Sequence, residues 1–121
     1  MTDKRQKAIK NLNEAIIKNE AADVLDKLLW ETIILFQGYI FHTVKNLEFS
    51  YVVNGGEIFV DRKEKSKSIT KSSVLLAFHV ALDYNGMVTG PKKLGTFGAS
   101  YLYPVFMEFG VIKKKEKDTN E

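Results

Sequence analysis

Asp61-Arg62-Lys63 closes a β-rich stretch, and an acid followed two places later by lysine is a spacing used by metal-dependent nucleases. That chemistry needs a second carboxylate to hold Mg²⁺ opposite the first. Glu48 and Glu57 are the nearest candidates. Acid-x-Lys triplets also arise constantly in charged loops, which leaves a nuclease as a remote alternative. Gly90-Pro-Lys-Lys-Leu-Gly95 has the two-glycine spacing of a phosphate-binding loop, but Thr96 follows where the phosphate-reaching lysine belongs. No hydrophobic strand leads into it, so a nucleoside triphosphate site is rejected. His42 and His79 lack metal-ligand spacing. His79 and Asp83 stand one helical turn apart, within pairing distance, and the reading is a partly buried, hydrogen-bonded His. The chain has no Cys, which removes disulfides, thiol catalysis and zinc-thiolate sites. No Ser or Thr sits in a recognisable nucleophile setting. The expectation is a protein with no catalytic motif, no metal and no cofactor.

The residues best suited to chemistry are cations. Arg62, Lys63, Lys65, Lys67 and Lys71 precede one helical pattern, Lys92 and Lys93 lie between glycines, and Lys113, Lys114, Lys115 and Lys117 end the chain. If these clusters share a face they form an electrostatic footprint for phosphate. Lysine alone positions a nucleic acid and reads no sequence. The charge is unevenly spread. Residues 1–60 hold seven Lys/Arg against eight Asp/Glu, a net of −1; residues 61–121 hold eleven against seven, a net of +4. Any polyanion-binding surface therefore belongs to the second half.

Three groups of elements must position these cations. Ile9, Leu12 and Ile16, then Leu25, Leu28, Leu29 and Thr32, form apolar stripes at helical spacing, so residues 1–36 read as helical, with a break at Asn19 to Asp23. Residues 39–61 read as a three-stranded antiparallel meander. Leu47, Phe49, Tyr51 and Val53 alternate with Glu48, Ser50 and Val52, and Asn54-Gly55 marks a hairpin to Ile58 and Val60. Arg62 to Lys71 reads as a polar connection, with Ser68 or Thr70 as the next helix cap. Val74, Leu75, Phe78, Ala81 and Leu82 then recur at helical spacing, and Asn85-Gly86 stops that helix. Leu102, Val105, Phe106 and Phe109 mark a final helix, and residues 113–121 read as a flexible tail. These segments predict one α+β domain over 1–121. Its expected core includes Leu28, Leu29, Phe49, Tyr51, Ile58, Val74, Phe78, Leu102, Phe106 and Phe109.

Residues 72–112 run in a particular order: a longer helix (Ser72–Tyr84), a short helix (Pro91–Leu94), a tight turn (Gly95–Gly98) and a second helix (Ser100–Phe109). This order resembles the helix-turn-helix unit of winged-helix DNA-binding domains. The closing phrase Glu108-Phe109-Gly110-Val111-Ile112 is similar to the LGLI or LGVI phrase that follows a recognition helix there. The resemblance implies that Ser100–Phe109 is the recognition helix, with Ser100, Tyr101, Tyr103, Met107 and Glu108 outward. Few of these side chains hydrogen-bond to base edges as Arg, Lys, Asn or Gln do. Pro104 fits such a helix if Ser100 is its cap. Tyr101 and Tyr103 have two readings: exposed aromatics that stack on bases, or core-edge residues that keep their hydroxyls near water.

The composition fits a folded cytoplasmic protein. Eight Phe, five Tyr and one Trp provide large buried areas. Met1 to Lys10 is polar and charged, with no signal peptide. The densest apolar run, Trp30 to Phe41, contains Glu31 and Gln37 and is shorter than the about 20 residues that span a bilayer. The function expected from sequence is a small DNA-binding or DNA-associated protein that contacts duplex phosphates. Its expected binding residues are Arg62, Lys63, Lys65, Lys67, Lys92, Lys93, Ser100 and Tyr101. The alternative is a protein-interaction or assembly module, or a homodimer, that docks through the N-terminal helices, with no membrane partner.

Overall fold

A computed structural model of the chain describes residues 3–62 and 67–114. Two helices come first, α1 (Asp3–Ile17) and α2 (Ala22–Leu35), packed on each other as a hairpin. The strands β1 (Phe41–His42), β2 (Glu48–Asn54), β3 (Glu57–Asp61) and β4 (Lys67–Thr70) follow, all antiparallel in the order β1-β2-β3-β4. Helix α3 (Lys71–Asp83), a 3₁₀ turn (Pro91–Leu94) and α4 (Ala99–Glu108) complete the α+β fold. Among the described residues, no helix is long and apolar enough to cross a membrane.

The sheet has one buried face. Phe49, Tyr51, Ile58, Val60 and Ile69 point inward and are at most 3% exposed. They meet Leu29, Ile33, Val74, Phe78, Leu102, Phe106 and Phe109 from the helices in one core. Every expected core residue is buried there except Leu28, which is half-buried at its edge. Among the described residues, buried side-chain polar atoms find partners, with Thr96 Oγ1 the exception. The Tyr51 hydroxyl donates to the Ile33 carbonyl at 2.7 Å, and burial pushes its pKa far above the ordinary tyrosine value.

The sheet has four strands where the meander predicted three. Residues 67–70 carry a single apolar side chain, Ile69, too little for an alternation signal. Ile69 pairs directly with Ile58 and is fully buried, so tertiary packing makes the strand. Thr70 then caps α3 by accepting from the Ser73 N–H at 3.2 Å; Ser68 remains in the strand. The hairpin also turns one residue later than expected. Asn54 pairs with Glu57, which leaves Gly55-Gly56 as the two-residue loop. Gly55 has φ of 62° and Gly56 is not in the positive-φ region, as a type II′ turn requires. β1 is only two residues long, and Leu47 lies outside β2 in a loop, 61% exposed.

The ends of the helices are tied down by distant residues. Arg5 in α1 donates to the carbonyls of Leu35 at 2.7 Å and Gln37 at 3.1 Å, and its guanidinium lies 5.2 Å from the Phe36 ring centroid. A cation thus meets the orphan carbonyls at the negative end of α2. At the end of α4, Asn13 Nδ2 donates to the Phe109 carbonyl at 2.8 Å. Phe109, Val111 and Ile112 are buried, so the Glu108–Ile112 phrase closes the core.

Candidate nucleic-acid interface

The α3, 3₁₀ and α4 elements follow the predicted order, and Gly95 and Gly98 both take left-handed conformations (φ 64° and 77°) that shape the turn between them. Gly98 is needed for a second reason. A Cβ there would collide with the Ile69 side chain, so only glycine lets the start of α4 approach β4 this closely.

The packing of α4 overturns its assignment as a recognition helix. Tyr101 is 6% exposed, and its ring meets Phe49 of β2 edge-to-face with centroids 5.0 Å apart. Tyr103 is also buried, with its hydroxyl donating to the Val88 carbonyl at 3.3 Å. Met107 and Glu108 are half-buried, and Glu108 accepts from the Tyr39 hydroxyl at 3.2 Å. Ser100 is the only exposed residue of α4. A helix with apolar contacts around most of its circumference has no face to insert into a groove. Gly98, rather than Ser100, is the N-cap, so Pro104 lies beyond the first turn. Its missing N–H removes the i+4 donor to the carbonyl of Ser100, an exposed position. The sequence misled because the tyrosines were placed outward; their rings instead bridge α4 to the sheet and to the loop after α3.

The cations divide between the two ends of α4. At its N-terminal end, the Arg62 guanidinium donates to the Tyr101 hydroxyl and lies 5.8 Å from that ring centroid. The Lys67 ammonium sits 4.9 Å from the centroid of Phe97, in the turn that leads into α4. Lys92 and Lys93 are exposed on the 3₁₀ turn, which packs against α4. Arg62 and Lys67 therefore stand at the N-terminal end of α4, and Lys92 and Lys93 lie on the short connection that leads into it. Gly98 provides no side-chain cap, so this positive end of the helix dipole adds to their field. Lys113 is at the other end, where its N–H donates to the Gly86 carbonyl at 2.9 Å. Lys71 is turned toward α2, its ammonium 5.0 Å from the Trp30 ring centroid. Lys63, Lys65, Lys115 and Lys117 lie outside the described residues.

Phe97 is the residue that sequence reading missed. It is 57% exposed and lies between the two left-handed glycines. Its signal was negative: a large aromatic in a glycine-bounded turn, on no apolar stripe.

Beside this basic end, a cleft of about 890 Å³ opens between the β1–β2 loop and the end of β3. Ile40, Leu47, Phe49, Glu48, Asp61 and Arg62 are among its lining residues. Asp61 pairs with Ser50 across the strands, which puts it near Glu48; Glu57 is at the opposite end of β3. Among the described residues, no group of three His, Cys, Asp or Glu side chains is arranged to hold a metal ion. His42 stands 3.7 Å from Glu48. His79 pairs with Asp26 of α2 at 2.7 Å rather than with Asp83, an interhelix contact in place of an intrahelix one.

Comparison of the chain with protein-family models, curated proteins and solved structures finds no match.

Proposed function

We propose that this protein binds nucleic acid through phosphates, duplex DNA included, using the cationic N-terminal end of α4 without reading base edges. The observation that carries this reading is the gathering of Lys67, Lys92, Lys93 and Arg62 around the turn that leads into α4. They come from two segments separated in sequence: Arg62 and Lys67 touch Tyr101 and Phe97 at the start of α4, and Lys92 and Lys93 precede it on the exposed 3₁₀ turn. Phosphate contacts fix position and release counterions, so binding of this kind weakens steeply with salt. The burial of Tyr101 supports a backbone-binding mode and removes the base-reading role expected of it. The test is a salt titration of labelled duplex DNA against wild-type protein and the Lys92→Ala/Lys93→Ala variant. The wild type should show a log–log slope of about −0.9 per phosphate contacted. The variant should bind every sequence more weakly with a shallower slope. No binding by the wild type at low salt, or equal binding by the variant, overturns the reading.

A second reading is a protein-interaction module, and one observation favours it. Ile40, Val44 and Leu47 are 52%, 67% and 61% exposed, and Ile40 and Leu47 line the cleft beside the basic end. On the N-terminal hairpin, Ile17, Val24 and Ile34 are exposed as well, Val24 and Ile34 about 15 Å apart along α2. Binding of DNA with the expected salt slope separates the first reading from this one.

A further inference from the structure

We infer that Phe97 is a stacking platform for an unpaired base, so that the preferred ligand is single-stranded nucleic acid or a duplex carrying a single-stranded extension. The inference rests on the phosphate-binding reading and adds to it a ligand class. Its basis is the setting of one ring. Phe97 is 57% exposed, whereas every other described Phe is buried or half-buried. Gly95 and Gly98, both at positive φ, hold the turn that presents it, and the Gly98 contact with Ile69 anchors that turn to the sheet. The platform is therefore fixed at its base.

The ring also has a polarised environment. Lys67 comes within 4.9 Å of the ring centroid, a cation–π contact that engages the ring from one side and leaves the exposed remainder to solvent. Lys92 and Lys93 stand on the same short connection, exposed. An accessible aromatic interleaved with lysines is the combination by which proteins hold single strands: cations track the phosphates and the ring takes a base face. Every base has such a face, so stacking is tolerant of sequence. It requires an unstacked base, which an intact duplex does not offer without paying for disruption. A protein with no base-edge reader on α4 thereby discriminates by strandedness.

The experiment compares three oligonucleotides at one salt concentration: a blunt duplex, the same duplex with single-stranded extensions, and the single strand as DNA and as RNA. Wild-type protein should bind the extended duplex and the single strands at least about fivefold more tightly than the blunt duplex, the lower end of a single stacking contact. Phe97→Ala should lose that advantage and keep blunt-duplex binding within about twofold. Lys92→Ala/Lys93→Ala should weaken all ligands together. A 2-aminopurine base in the single-stranded segment gives a readout on the wild-type protein alone, because exchanging its neighbouring bases for the Phe97 ring changes its fluorescence. Duplex binding without any preference for unpaired strands, an equal effect of Phe97→Ala on all ligands, or unchanged 2-aminopurine fluorescence at saturation overturns the platform and leaves the phosphate reading standing. Failure of every oligonucleotide to bind overturns both. A preference for RNA over DNA single strands would identify the strand type within the same proposal.

Discussion

The two ends of α4 are built on opposite principles. At the C-terminal end, carbonyls are satisfied and side chains are withdrawn. Asn13 serves the Phe109 carbonyl, the Val111 and Ile112 N–H groups return to the Phe106 carbonyl at 2.9 and 3.1 Å, and Phe109, Val111 and Ile112 are buried. At the N-terminal end the cap is a glycine with no side chain to offer, Ser100 and Phe97 are exposed, and cations stand around them. One end of the helix contributes to stability and the other is available for contact. Mutations at the two ends should therefore separate folding from binding.

The largest expected effect is on the buried side. Phe106→Ala should destabilise the protein by about 3–5 kcal/mol, because the ring is fully buried against Phe78 of α3 and its removal leaves a cavity. Urea denaturation monitored by circular dichroism measures this loss; a change under about 1 kcal/mol would contradict the packing described. Next comes Asn13→Ala. It removes the donor to the carbonyls of Ile9 and Phe109 and should cost about 1–3 kcal/mol while leaving nucleic-acid affinity of the folded protein unchanged.

Alkaline pH should act on the buried side as well. Burial raises the pKa of Tyr51 in the folded state, so the unfolded chain releases that proton first, near the ordinary tyrosine value of about 10. Above that pH the folded state binds more protons than the unfolded state, and stability falls with each further rise. Tyr103 and Tyr39 are raised too, in both cases chiefly by burial, with the Glu108 charge contributing at Tyr39. Melting curves at pH 9 to about 11 should show a loss that is reduced in Tyr51→Phe. An equal slope in that variant would remove Tyr51 as its source.

The smallest effect on stability belongs to the exposed end. Lys92→Ala/Lys93→Ala should shift stability by no more than about 0.5 kcal/mol, whatever it does to binding. A cooperative loss of structure in that variant would mean that the lysines hold the fold and would erase the contrast between the two ends.

The sequence read this contrast unevenly. The buried end was legible because Leu102, Val105, Phe106 and Phe109 repeat at helical spacing and Gly110 follows as a stop. The inward rows of β2 and β3 were legible through their alternation, although the turn slipped by one residue because Asn54-Gly55 carries the stronger hairpin signal. β4 was hidden, since Ile69 alone carries no period and gains its place from Ile58 across the sheet and Gly98 beneath it. Tyr101 was misplaced for a related reason. Its apolar ring and polar tip suit either side of a helix, and only the position of Phe49 and Arg62 decides between them. The cations themselves were plain to see, but which of them would share an end of α4 depended on contacts between segments far apart in the chain.

The hydrogen bond from Asn13 to the Phe109 carbonyl joins positions 96 apart, which has a consequence for synthesis. At translation rates of about 5–20 residues per second, roughly 5–20 s pass between the making of its donor and of its acceptor. Through that interval α1 and α2 have each other to pack on, but Leu12, Leu29 and Ile33 lack α4 and the final Val111-Ile112 that complete their enclosure. The nascent chain is therefore most adhesive before Phe109, Val111 and Ile112 join the core.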